Sequence, residues 1–154
     1  MVTLKTVMGV WEEIKGDNEN ILFIVGAPGS GKSKLLRALS ENKGWQYIEA
    51  RELLNEVIFE VPREERPERA EEILVEEITR QDAEVIIIDS IDVLFAPILN
   101  LKPVEVLKRI SKDHALIIGW KGSVDGDTLC LEHNNNPRYY EQPITNHKRI
   151  IVVD

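Results

Sequence analysis

Eight consecutive residues concentrate the chemistry of this sequence: Gly26-Ala27-Pro28-Gly29-Ser30-Gly31-Lys32-Ser33, which fits GxxxxGK[ST]. Without a Cβ, Gly26, Gly29 and Gly31 permit backbone dihedrals that let successive N–H groups converge on one anion. A helix opening near Lys32 adds the positive end of its dipole to that cavity. Lys32 can reach the β- and γ-phosphates of a nucleoside triphosphate, and the Ser33 hydroxyl is placed to hold Mg²⁺. Gly26 to Lys34 is therefore the expected nucleotide-binding stretch. Asp89 is the second candidate, because it ends the apolar run Val85-Ile86-Ile87-Ile88. An acid at the carboxyl end of a central strand can order Mg²⁺ through its water shell. Ser33 and Asp89 are thus the expected metal residues.

The surrounding elements must hold these groups in place. Ile21 to Val25 reads as a buried strand leading into the glycine-rich turn, and a helix follows to about Gly44, a C-cap glycine. The run before Asp89 is apolar on both faces, which predicts a central parallel strand. Trp45 to Ala50 predicts a second strand. Arg51 to Phe59 predicts a short helix with Leu53, Leu54, Val57 and Ile58 inward. Val7, Val10, Trp11 and Ile14 give Thr3 to Lys15 one apolar face, expected to cover a sheet edge. After Pro67 a helix buries Ala70, Ile73, Leu74 and Ile78, with Glu65/Arg69 and Glu76/Arg80 paired on its solvated face. Val104, Leu107 and Ile110 mark another helix, and Ala115 to Trp120 a fourth strand. Gly122 to Asp127 reads as a turn, Thr128 to His133 as a strand, and Lys148 to Val153 as the last one. Asp125 and Asp127 lack the other ligands of a calcium loop, so a hairpin turn is expected there. His114, His133 and His147 show no metal-ligand spacing.

At 154 residues, with 43% hydrophobic and 30% charged side chains, the chain is expected to form one domain over 1–154. No apolar run reaches the ~20 residues of a membrane span, and the N-terminus does not read as a signal peptide. The lone Cys130 fits a reducing cytoplasm and a buried, unreactive role. A net charge of −8 disfavours broad nucleic-acid binding by the bare chain; DNA contact is expected only through an assembly.

Known families sharpen this reading. GAPGSGK resembles the phosphate loop of adenylate kinases, but no arginine-rich lid follows. VIIIDSIDVLF resembles the Walker B region of bacterial initiator-type AAA+ proteins, and YIEARELLNEV their second strand and following helix. The AAA+/RecA resemblance implies an α/β, three-layer P-loop NTPase core. Its mostly parallel sheet would run in the order 5-1-4-3-2, with an added β-hairpin and no C-terminal helical lid. It implies ATP and Mg²⁺ as ligands, with Lys32 and Asp89 catalytic. AAA+ ATPases usually follow the Walker B Asp with an acid that orients the attacking water, whereas this chain has Ser90. The base must then come from Asp92, Glu49 or Glu52; RecA-like proteins, which share the serine, take a glutamate from near the second strand. Trp120-Lys121 occupies the first-sensor place. An open site implies closure by a neighbouring subunit, with Arg138, Arg109 and Lys121 as candidate cations. ATP is preferred over GTP because no NKxD-type signature is present.

GWKGSVDGDTL and PRYYEQP after the fourth strand resemble the BrxF family, small P-loop proteins of type 3 BREX phage-defence systems. That resemblance implies a bacterial cytoplasmic protein acting as a homo-oligomer or beside other defence proteins, among them a DNA methyltransferase and a helicase. The expected activity is slow or assembly-dependent ATP hydrolysis. A non-hydrolysing nucleotide switch or scaffold is the alternative, and a small-molecule kinase stands third.

Overall fold

The apolar runs at 21–25, 85–88 and 115–118 become the central strands of a seven-stranded sheet. The structure, a computed structural model, describes residues 2–154; Met1, the first residue of the expected domain, lies outside them. The strands are β1 (Ile21–Gly26), β2 (Gln46–Glu49), β3 (Val85–Asp89), β4 (Ala115–Asp125), β5 (Thr128–His133), β6 (Asn136–Pro143) and β7 (Ile150–Val153). Five form a parallel core in the order β2-β3-β4-β1-β7. With β7 as the fifth core strand, this is the expected 5-1-4-3-2 order.

Both faces of that core are covered, which is why β1 and β3 are buried at every position. Alternate residues point to opposite sides. Leu22, Ile24, Ile87 and Ile117 meet α1 (Leu4–Ile14) and α2 (Lys32–Lys43). Phe23, Val25, Ile86, Ile88 and Ile118 meet α3 (Arg66–Arg80) and α4 (Pro103–Ile110). The result is the three-layer α/β architecture the motifs imply. α3 buries the expected stripe of Ala70, Ile73, Leu74 and Ile78. Its arginines, however, pair one residue closer than expected, Arg69 with Glu72 and Arg80 with Glu77.

Three further expectations need correction. First, α1 lies on a sheet face beside α2, where Trp11 meets Trp45 edge-to-face at 6.0 Å, instead of capping an edge. Second, no α-helix spans 51–59. Asn55 accepts a bond from Val57 N at 3.0 Å and starts a separate 3₁₀ turn, Glu56–Glu60, after the turn Ala50–Glu52. Val57 consequently faces solvent, while Leu53 and Ile58 are buried. Third, β4 does not stop at Trp120. It runs on to Asp125 and pairs antiparallel with β5, which forms the expected hairpin, and β5 pairs in turn with β6, so the hairpin is part of a three-stranded extension. Trp120 anchors it: the ring is fully buried, packs edge-on against Phe23 and Phe95, and donates Nε1–H to Cys130 O at 2.9 Å. Gly122 is required beside it, because a Cβ there would run into the Cys130 carbonyl. The tight turn is confined to Gly126-Asp127, with Gly126 at φ 58°.

Candidate nucleotide-binding site

β1 ends at Gly26, and the chain turns through Gly29 (φ 82°) and Gly31 (φ 88°) into the first turn of α2. Both values lie where a Cβ is strained, so these glycines are the residues the turn demands. Gly31 is the N-cap of α2, and within the turn before it Ser30 N donates to Ala27 O at 3.1 Å, which leaves the amides of Gly29 and Gly31 beside the positive end of the helix dipole. Ser30 Oγ is buried without a hydrogen-bond partner, an orphan inside an anion-binding turn. A cleft of about 730 Å³ opens along residues 26–34 and extends to Glu49, Arg51, Ser90, Asp92, Val93 and Lys121.

Asp89 lies beneath the loop, 1% exposed. Its Oδ1 accepts from Lys32 Nζ at 2.7 Å and from Ser90 N at 2.9 Å. Oδ2 accepts from the Ser33 and Tyr47 hydroxyls, each at 2.7 Å. Burial on its own would push this carboxyl up; the bonds from Lys32, Tyr47 and Ser33 outweigh it and hold the group below the usual carboxylate range. Tyr47 is driven the other way, by burial and by the bond it gives Asp89. Gly119 makes the space, since a Cβ on β4 at that point would strike Asp89 Oδ1 and Leu36.

The three acids weighed as a base are placed differently. Asp92, on the 3₁₀ turn Ile91–Phe95, and Glu49, at the end of β2, both line the cleft. Glu52 is not brought there: its Oε2 accepts from Glu49 N at 3.1 Å and closes a capping box. Glu49 is itself held by Arg51, with Nε at 3.0 Å and Nη2 at 2.9 Å. Lys121, level with Gly26 across the β1–β4 ladder, lines this chain's own cleft and cannot be offered to a neighbour's while it does so. Arg109 is engaged by Glu71 at 2.6 Å between α4 and α3, away from the cleft. Arg138 pairs with Asp125 at 2.9 Å and with Glu141 on the outer sheet. Lys34 is exposed beside the loop.

No motif singles out Tyr47, Arg51 or Gly119, which the fold brings to the site. Tyr47 was within reach of a period-two argument: Tyr47 and Glu49 share a face of β2, and Glu49 is level with Asp89 on β3. Gly119 carried no signal, because the need for it arises only when β3, β4 and α2 meet.

This arrangement suits a polyphosphate with a divalent cation. Two protein oxygens, from Ser33 and Asp89, stand at the loop, and no group of three or more acids, histidines or cysteines that could hold a metal occurs among the described residues. Mg²⁺ is commonly held that way, by one or two protein groups plus substrate phosphates. No helix among the described residues is long and apolar enough to cross a membrane.

The model of the ATPase family associated with various cellular activities (AAA) matches residues 21–113. No curated protein matches the chain. Among solved structures, the chain is similar to Drosophila ORC bound to DNA, with 15% identity, 97% of this chain and 42% of that one covered, and a TM-score of 0.46. C. elegans PCH-2 is similar at 14% identity, over 80% and 38%, with a TM-score of 0.43. AMPPCP-bound DnaA from Aquifex aeolicus follows at 17% identity, over 76% and 41%, with a TM-score of 0.35. The chain spans less than half the length of each of these three.

Proposed function

This chain belongs to the AAA family of ATPases, and on that premise we propose that residues 1–154 act as a single ATP-binding domain with slow or assembly-dependent hydrolysis. The observation that carries the reading is the joining of Lys32, Ser33 and Asp89 beneath a glycine-turned loop. In this reading, the loop amides and Lys32 bind the phosphates, while Ser33 and Asp89 hold Mg²⁺. Bound Mg²⁺ would neutralise charge on the phosphate oxygens. Lys32 must exchange Asp89 for a phosphate, and the carboxylate stays anionic through Tyr47 and the Ser90 amide.

The cleft is open, and self-association would close it. Exposed Phe59, Val93 and Ile98 beside the cleft support a second protein surface there. A cation supplied across such an interface is worth about 10³–10⁵ in rate where it has been measured. Arg138, on the outer sheet, is the candidate to supply it once it leaves Asp125 and Glu141. The antiparallel extension contains the segments that resemble BrxF, and we extend the proposal to a role in a bacterial cytoplasmic BREX-type defence complex. With a net charge of −8, any DNA contact there would come through partners.

A phosphate-release assay tests this reading. Release that disappears in Lys32→Ala, together with a larger particle by light scattering when ATP–Mg²⁺ is added, is the expected result. Brisk turnover by a particle that stays monomeric would overturn the assembly part. A second reading, a non-hydrolysing switch, is favoured by Ser90, whose hydroxyl stands where an acid usually does. Tight binding without release by any assembly would select it.

A further inference from the structure

The cleft contains one carboxylate whose surroundings suit it to activate water. Glu52 is withdrawn into a capping box, and Glu49 gives its Oε2 to the Arg51 guanidinium. Asp92 lines the cleft, three residues beyond Asp89. Only its Oδ2 is engaged, by His133 Nδ1 at 3.1 Å; among the described residues Oδ1 has no hydrogen-bond partner. We propose that Asp92 is the water-orienting carboxylate of this cleft and that His133, from the antiparallel extension, is the positioning residue that holds it.

The proposal rests on the ATPase reading and adds to it the group that replaces the acid missing at Ser90. A carboxylate only accepts, so His133 Nδ1 carries the hydrogen and donates it to Oδ2. The imidazole is fixed from two sides. Asp92 lies at one, and the Tyr139 ring on β6 lies at the other, with centroids 4.8 Å apart. The β5–β6 register shifts between Leu131 and His133, an irregularity of the kind that re-aims a side chain beside a site. Oδ1 is thereby left to accept a hydrogen bond from water in the cleft.

In the step itself, the water oxygen bonds to the γ-phosphorus. The bridging β–γ P–O bond breaks, and its electron pair leaves on the diphosphate. Asp92 takes the water proton and returns it to the released phosphate or to solvent, which regenerates the carboxylate. Positioned bases contribute about 10²–10⁴ in rate.

Four proteins test this: the wild-type chain, Asp92→Asn, His133→Leu and His133→Asn, whose amide nitrogen stands near the position of Nδ1. Each is measured for ATP–Mg²⁺ affinity by calorimetry and for kcat and KM. Asp92→Asn is expected to lower kcat about hundredfold and His133→Leu about tenfold or more. His133→Asn should recover most of that loss. Affinity and KM should stay within about twofold throughout, since only a transition-state interaction is removed. Unchanged kcat in His133→Leu overturns the proposal. So does a Leu variant whose defect lies in affinity, or an Asn variant no better than Leu. A wild-type chain that binds ATP without releasing phosphate, alone or assembled, overturns it while leaving nucleotide binding intact. A chain that does not bind ATP removes both readings together.

Discussion

From Ala115 to Trp120, β4 lies between β1 and β3, with side chains covered by helices on both faces; from Gly122 to Asp125 it has left them and pairs with β5 alone. The first half is almost wholly buried, and the second alternates between buried and solvated. One strand thus obeys two rules, that of a covered parallel sheet and that of an antiparallel sheet with one wet face. The difference shows where each kind of constraint resides. In the parallel half, chemistry dictates the sequence: Gly119 is small so that Asp89 can sit beneath the phosphate loop. In the antiparallel half, packing does so: Gly122 is small so that Trp120 can reach the Cys130 carbonyl.

The sharpest way to break the parallel half is Asp89→Ala. It leaves Lys32 buried without its partner, a loss of about 3–5 kcal/mol, visible as a lowered Tm. The pH dependence follows from the depressed carboxyl. Its stabilising effect is present above the unfolded aspartate value of about 3.9 and lost as pH falls below it. The Tm gap between wild type and variant should therefore persist from neutral pH to about 4 and close below that. A gap that closed at pH 6 would contradict the assigned network.

The two glycines provide a matched pair. Gly119→Ala and Gly122→Ala should each cost about 1–3 kcal/mol by overpacking, with opposite functional consequences. The first should weaken ATP–Mg²⁺ binding, and the second should leave it while loosening the extension, seen as faster amide exchange in β5 and β6. Equal binding defects would mean that the two halves of β4 are not separable.

The same contrast decides what could be read without coordinates. GAPGSGKS and the apolar runs before Asp89 and Trp120 specify the core locally, because a strand covered on both faces must be apolar throughout. The extension is not locally specified. Gly122, Ser123 and Asp125 have turn chemistry, and only the Trp120 anchor and pairing with β5 keep them in a strand. At 51–59 the apolar spacing fits a helix, yet Asn55 caps a new turn and divides it. Likewise, composition does not separate Glu49, Glu52 and Asp92. Arg51, the Glu49 amide and His133 do so in space.

A smaller effect sharpens the parallel half further. Tyr47→Phe removes one of the two hydroxyls on Asp89 Oδ2 and should cost about 1 kcal/mol, read as a raised Mg²⁺ requirement in nucleotide binding. The smallest change belongs to neither half. Arg109→Ala deletes a half-exposed pair with Glu71 and should shift stability by less than about 1 kcal/mol, with turnover unchanged. A large loss of turnover there would restore Arg109 as a cation that serves a neighbouring site.

The most direct test is a crystal structure with Mg²⁺ and a non-hydrolysable ATP analogue. The account predicts phosphates cradled by the 26–33 loop, Lys32 Nζ moved from Asp89 onto a phosphate oxygen, and the metal beside Ser33 and Asp89. Phosphates bound elsewhere, with the Lys32–Asp89 contact intact, would contradict it.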